Sequence, residues 1–129
     1  MRFHPIRGPW EMLLAMLFLG GCMKVAPKVN GAYIVRNERS TVVHVEAWAH
    51  GEAVHLESDS VMPGGSAQIY TASRREAKEV APSVIFDDLR ISTVDSTGTT
   101  QEIYHGMHDS DWGNTSLPGY WMGFEFVVQ

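Results

Sequence analysis

The chain has 129 residues, room for one domain and not for two. Its 15 acidic side chains outnumber its 10 basic ones, and a formal charge of −5 argues against nucleic acid, which requires clustered Lys and Arg. A single cysteine, Cys22, cannot form an internal disulfide, so packing alone must hold the fold.

The first feature in chain order is Met12–Cys22, an apolar run that closes on two glycines and the sole thiol. Crossing roughly 30 Å of hydrocarbon takes about 20 apolar residues. Met12–Leu19 is far too short for that, but with Arg2 and Arg7 ahead of it the run has the proportions of a cleavable export signal. Leu19-Gly20-Gly21-Cys22 resembles the bacterial lipobox, in which an aliphatic residue and two small residues precede a modified cysteine. The resemblance implies a signal peptide over residues 1–21, cleavage before Cys22 and a diacylglyceryl thioether on its sulfur. It implies a lipoprotein of the cell envelope, with Met23 in place of aspartate leaning toward the outer membrane. At about 0.8 kcal/mol per buried methylene, two or three acyl chains hold such a protein to the bilayer essentially permanently.

Without residues 1–21 there remain 108 residues (129 − 21), with 8 basic and 14 acidic side chains. Residues 22–30 read as the lipidated N-terminus and tether. Fully extended, Met23–Asn30 reaches some 25–30 Å, so the domain over residues 31–129 stays near the bilayer. So acidic a domain is a poor candidate for broad adhesion to anionic lipid. Lys24 and Lys28 are near enough to the anchor to touch headgroups, but two lysines make a weak patch and read as part of a solvated linker.

The domain reads as strands. Ala32–Arg36 is aromatic and β-branched, and Asn37–Ser40 is a turn. In Thr41–Ala49, Val43, Val45, Ala47 and Ala49 fall on one face, the period of a half-buried strand. Ala53–Leu56 is a brief strand, Pro63-Gly64-Gly65 is turn chemistry, and Ala67–Tyr70 resumes the strand pattern. Ser66 between glycine and alanine lacks the Gly-x-Ser-x-Gly nucleophile pattern. Ser73–Val80 is the one helical candidate, with Ser73 and Glu76 at capping-box spacing and Pro82 as the stop. Ser83–Phe86 is a further apolar run. Leu89–Val94 and Thr100–His105 form a hairpin about Asp95–Thr99, with Leu89, Ile91, Thr93 and Ile103 inward. Tyr120–Val128 closes the chain with Met122, Phe124, Phe126 and Val128 on one face.

These elements predict an all-β fold: a small antiparallel β-sandwich of seven to eight short strands with at most one short helix. The strand rhythm and the Val61–Ser66 turn make the layout similar to small immunoglobulin-like or transthyretin-like lipoproteins of bacteria. That resemblance implies a fold and no function.

His105–Asn114 is the densest polar stretch, and long loops on rigid scaffolds often carry binding. His105, His108, Asp109 and Asp111 supply donors suited to a divalent metal, although their spacing matches no established site. Trp112 is either a loop anchor tucked into the core edge or an exposed contact, in which case Asp109 and Asp111 join it against a partner. His44, His50 and His55 read as surface residues, unless they converge on the other two. No Ser/His/Asp or Cys/His set stands out, so no enzyme is expected. The leading expectation is a non-enzymatic binding or accessory module for another envelope protein. A periplasmic metal-binding module centred on His105–Asn114 is the alternative, and no other cofactor is implied.

Overall fold

A computed structural model describes residues 28–129. The export signal, the lipidation site Cys22 and tether residues 23–27 lie outside the described residues. Residues 28–129 form an all-β sandwich of nine strands: β1 (Val29–Asn37), β2 (Val43–Ala49), β3 (Glu52–Ala53), β4 (Ser60–Val61), β5 (Ser66–Arg74), β6 (Asp88–Val94), β7 (Thr100–Gly106), β8 (Gly113–Thr115) and β9 (Met122–Val128). One sheet runs β5-β1-β9-β8 and the other β3-β2-β6-β7, with β4 also on β2. Pairing is antiparallel except between β1 and β9, which run parallel from Gly31 opposite Met122 to Asn37 opposite Val128.

The strongest sequence patterns form the strands they predict. Val43, Val45, Ala47 and Ala49 are buried on β2; Leu89, Ile91 and Thr93 on β6; Phe124, Phe126 and Val128 on β9. An aromatic nucleus packs the β5-β1-β9-β8 sheet against the segments that connect it to the other sheet. Tyr33 stacks on Phe124 with centroids 5.3 Å apart, Phe86 stacks on Trp112 at 6.0 Å, and Tyr33 meets Phe86 edge-on at 5.1 Å. Such pairs contribute roughly 0.5–1.5 kcal/mol each beyond area burial. The Tyr33 hydroxyl donates to the Val80 carbonyl, and burial pushes its ionisation well above the ordinary tyrosine range.

Asn37 is fully buried and ties one end together. Its amide donates to the carbonyls of Thr41 (2.8 Å) and Val61 (2.9 Å), and its side-chain oxygen accepts the Arg39 N–H (2.9 Å). A buried amide with three partners replaces the backbone ladder where β1 turns toward β2.

Several boundaries differ from expectation: of Ala53–Leu56 only Ala53 is strand, in the two-residue β3, and the last strand starts at Met122 and not at Tyr120. β1 starts at Val29, so Val29 and Asn30 are strand and not tether. β5 continues to Arg74, pairing Ser73 with Asn30, and Ser73 caps nothing. The helical signal shifts to a 3-10 turn, Ala77–Val80, where Glu76 and Glu79 make the reciprocal capping box. Ser83–Phe86 is no strand. Pro82, preset for a first helical position, opens a single helical turn, α1 (Pro82–Ile85), closed by Phe86 N–H on the Pro82 carbonyl at 2.8 Å. Ile85 and Phe86 then point into the core.

Candidate functional site

The two lateral sides of the sandwich differ, and each holds one candidate. On the first, the chain crosses from β7 to β8 through His105–Asn114. The expected long loop is mostly ordered: β7 holds His105 and Gly106, a 3-10 turn covers Asp109–Asp111, and β8 starts at Gly113. Trp112 is 8% exposed and packs against Phe86, Tyr33 and Phe126, so it anchors the crossing and is not an exposed contact. Asp109 accepts the Ser83 backbone N–H and hydroxyl, both at 2.8 Å, tying the crossing to α1. Asp111 accepts the Tyr104 hydroxyl at 2.6 Å. Desolvation first, then that carboxylate, pushes the Tyr104 phenol up to about 12.

The expected metal ligands are engaged separately. His105 Nε2 lies 2.9 Å from Asp88 and its Nδ1 3.5 Å from Glu102, across the outer face of β6 and β7. His108 lies beside Gly106, while Asp109 and Asp111 are held by Ser83 and Tyr104. The other histidines do not join them: His44 bonds Ser60, and His50 and His55 lie on the opposite side of the sandwich. Among the described residues, no group of three or more His, Cys, Asp or Glu is placed to hold a metal. Asp109 and Asp111 are exposed, and each also accepts hydrogen bonds within the fold.

The second side is open. The β2–β3 hairpin turns at His50-Gly51, both at positive φ (55° and 79°), the two-residue turn whose twist suits a hairpin. Gly51 takes this conformation freely, and histidine is among the side chains that tolerate it. The chain then tracks β2, but only in pieces. Val54 N–H bonds the Ala47 carbonyl (2.8 Å) and Val45 N–H the Asp59 carbonyl (2.7 Å). Between those two pins His55–Ser58 arches away from the sheet.

A groove of about 530 Å³ separates this arch from β5. Its floor is Ala49 and Ile69, both buried; Val54 and Leu56 line the arch side; His50, Glu52, His55 and Glu57 form the rim. The opposite wall is Gln68–Thr71. Four consecutive strand residues can line one groove only if the strand presents its backbone edge, because side chains alternate between faces. Among the described residues β5 pairs with β1 alone, so that edge keeps unpaired N–H and C=O groups. From Ser66 to Ser73 it carries no charge and no proline, the usual guards of an edge strand. A second depression, of about 440 Å³, lies on the far side of the arch beside Glu46 and Trp48. The arch therefore has open space on both faces.

The groove joins residues 49–57 to residues 68–71 of the chain, and the only signal for it in the sequence is negative. Glu52–Asp59 lacks the alternation of a continuous strand. Comparison with known proteins returned no matching family model, no matching curated protein and no matching solved structure.

Proposed function

We propose that this is a non-enzymatic binding or accessory module of the bacterial cell envelope, held to the outer membrane by an acylated Cys22. Its partner is another envelope protein, which lays an extended segment along β5 and adds a strand to the sheet. The observation that carries this is the nine-residue β5 edge, uncharged over eight positions, facing a groove with an apolar floor. Strand addition takes its affinity from main-chain hydrogen bonds and its selectivity from flanking side-chain pockets. Here the flanking pockets are those around Val54 and Leu56, with Glu52 and Glu57 favouring a basic residue in the incoming segment.

A photo-crosslinker placed at Thr71, exposed on β5, tests this in native envelopes. A defined partner band is expected there and not from Thr100 on β7. Gln68→Lys with Thr71→Lys, which puts charge on the edge without touching the core, should abolish the band. Equal capture from both positions, or capture that survives the two lysines, refutes strand addition.

A further inference from the structure

We infer that the end of the sandwich where β1 begins is a docking surface for anionic lipid headgroups, and that it sets the orientation of the domain on the bilayer. Seven basic residues lie in the described chain: Lys28, Arg36, Arg39, Arg74, Arg75, Lys78 and Arg90. Arg36, Lys78 and Arg90 pair with carboxylates, and Arg39 donates to the terminal Gln129 carbonyl. Of the four with no ion pair among the described residues, Lys28, Arg74 and Arg75 line one depression of about 390 Å³, where Arg74 also donates to the Ser73 carbonyl at 2.9 Å. Glu79 shares it, but its Oε1 is turned onto the Glu76 N–H at 2.9 Å. In a domain with twice as many acidic as basic side chains, three basic residues against the single carboxylate of Glu79 make this depression a local excess of positive charge.

The sheet register adds a second, independent feature. Arg74 pairs opposite Val29 at the start of β1, and β9, parallel to β1, starts with Met122 opposite Gly31. Trp121, the residue before it, therefore sits at the same end, and it is 72% exposed, the most exposed large apolar side chain described. Tryptophan favours the bilayer interface, where its ring meets the acyl boundary and its N–H meets the headgroups. Basic side chains at the same end of the sheet as an exposed tryptophan match an anionic lipid surface better than they match a soluble anion.

The chain also enters the fold at this end. Six residue steps separate Lys28 from Cys22, a reach of at most about 20–22 Å. This part rests on the proposed anchor: with Cys22 acylated, the patch is the first surface held within reach of the headgroups. The acidic remainder is repelled by an anionic leaflet, which reinforces one orientation. The β5 groove then opens about 10 Å from the bilayer, since Thr71 lies three residues before Arg74.

The test separates the patch from the anchor. The full chain carrying Cys22→Ser, which cannot be acylated, is centrifuged with phosphatidylcholine vesicles and with vesicles containing phosphatidylglycerol. Each basic side chain near an anionic surface contributes about a factor of five in partitioning. Arg74→Gln with Arg75→Gln should therefore lower binding to the anionic vesicles about 30-fold, and Lys28→Gln about fivefold. High salt should abolish the difference. Vesicle-induced blue-shift of tryptophan emission should shrink in Trp121→Phe. Residues 1–21 are common to every variant, so the differences belong to the patch. Should the double arginine variant misfold by circular dichroism, Lys28→Gln with Arg75→Gln, both at exposed positions, takes its place. Equal partitioning of patch-neutralised and unaltered chains overturns the inference. The mass of the N-terminus from native membranes tests the anchor alone. An unacylated chain with patch-dependent binding retires the anchor and keeps the patch; an acylated chain with patch-independent binding does the reverse.

Discussion

The two lateral sides of this sandwich solve the same problem in opposite ways. Where β7 and β8 form the margins, the chain crosses between sheets, buries Trp112 and fastens the crossing with Asp109 on Ser83 and Asp111 on Tyr104. Where β5 and the β3–β4 arch form the margins, the chain passes between the sheets only before and after β5, through residues 62–65 and 75–87, and a groove remains beside the strand itself. The crossing is dense in the residue types usually sought at functional sites, and three of them, Trp112, Asp109 and Asp111, are engaged in closing the fold. The arch is poor in such residues and leaves both backbone and space available. A partner is therefore proposed at β5 for its unspent hydrogen-bonding capacity beside an apolar floor, and not for polar density in a loop.

The largest expected effect lies on the closed side. Trp112→Ala removes the ring shared by Phe86, Tyr33 and Phe126 and should cost about 3–5 kcal/mol in urea unfolding. Trp112→Phe should cost much less, about 1–2 kcal/mol. It keeps an aromatic ring and discards an indole N–H that has no acceptor among the described residues. Equal losses from the two would mean that the plug is not what closes this side. Gly123→Ala is next: a Cβ there collides with the Thr115 carbonyl oxygen on β8. Overpacking of this kind costs about 1–3 kcal/mol, and hydrogen exchange should show β8 released while β5 stays protected.

Asp109→Ala should cost about 1–2 kcal/mol, since it strips two hydrogen bonds to an ionised acceptor from Ser83. The Tyr104 phenol, raised first by desolvation and then by Asp111, gives a smaller, pH-dependent effect. The folded phenol titrates near 12 while the unfolded one titrates at its ordinary value near 10. The associated stability is therefore complete below pH 10 and is lost as pH rises toward 12. Thermal unfolding between pH 9 and 11.5 should fall more steeply for the unaltered protein than for Tyr104→Phe; parallel curves would disprove the coupling.

Sequence alone reached the fold class because β2, β6 and β9 each alternate over seven residues with one dry face. It failed where tertiary contacts decide. Ser83–Phe86 has strand-like composition, but Pro82 and the burial of Ile85 and Phe86 favour a helical turn. Ser73 and Glu76 have capping spacing, yet pairing with β1 keeps Ser73 in β5 and passes the cap to Glu76 and Glu79. Asn37 looks like an ordinary turn residue, and only the fold brings the Val61 carbonyl to its amide. Neither candidate surface is local: the groove needs Leu56 beside Gln68, and the basic end needs Lys28 beside Arg74. No window of sequence contains either pair in register.

The smallest expected effect on stability falls on the open side, and it sharpens the contrast most. His55→Ala with Glu57→Ala changes the groove rim at positions that make no hydrogen bond or ion pair among the described residues. Surface substitutions of this kind stay within about 0.5 kcal/mol, so the unfolding midpoint should not move measurably. The same variant should weaken capture at the Thr71 crosslinking position, because the rim helps select the side chains of the incoming strand while the β5 edge supplies the main-chain bonds. A marked loss of stability would mean the arch is structural, and the two sides of the sandwich would then be alike. Unchanged stability with unchanged capture would leave β5 binding through its backbone alone, with selectivity lodged in the apolar pockets around Val54 and Leu56.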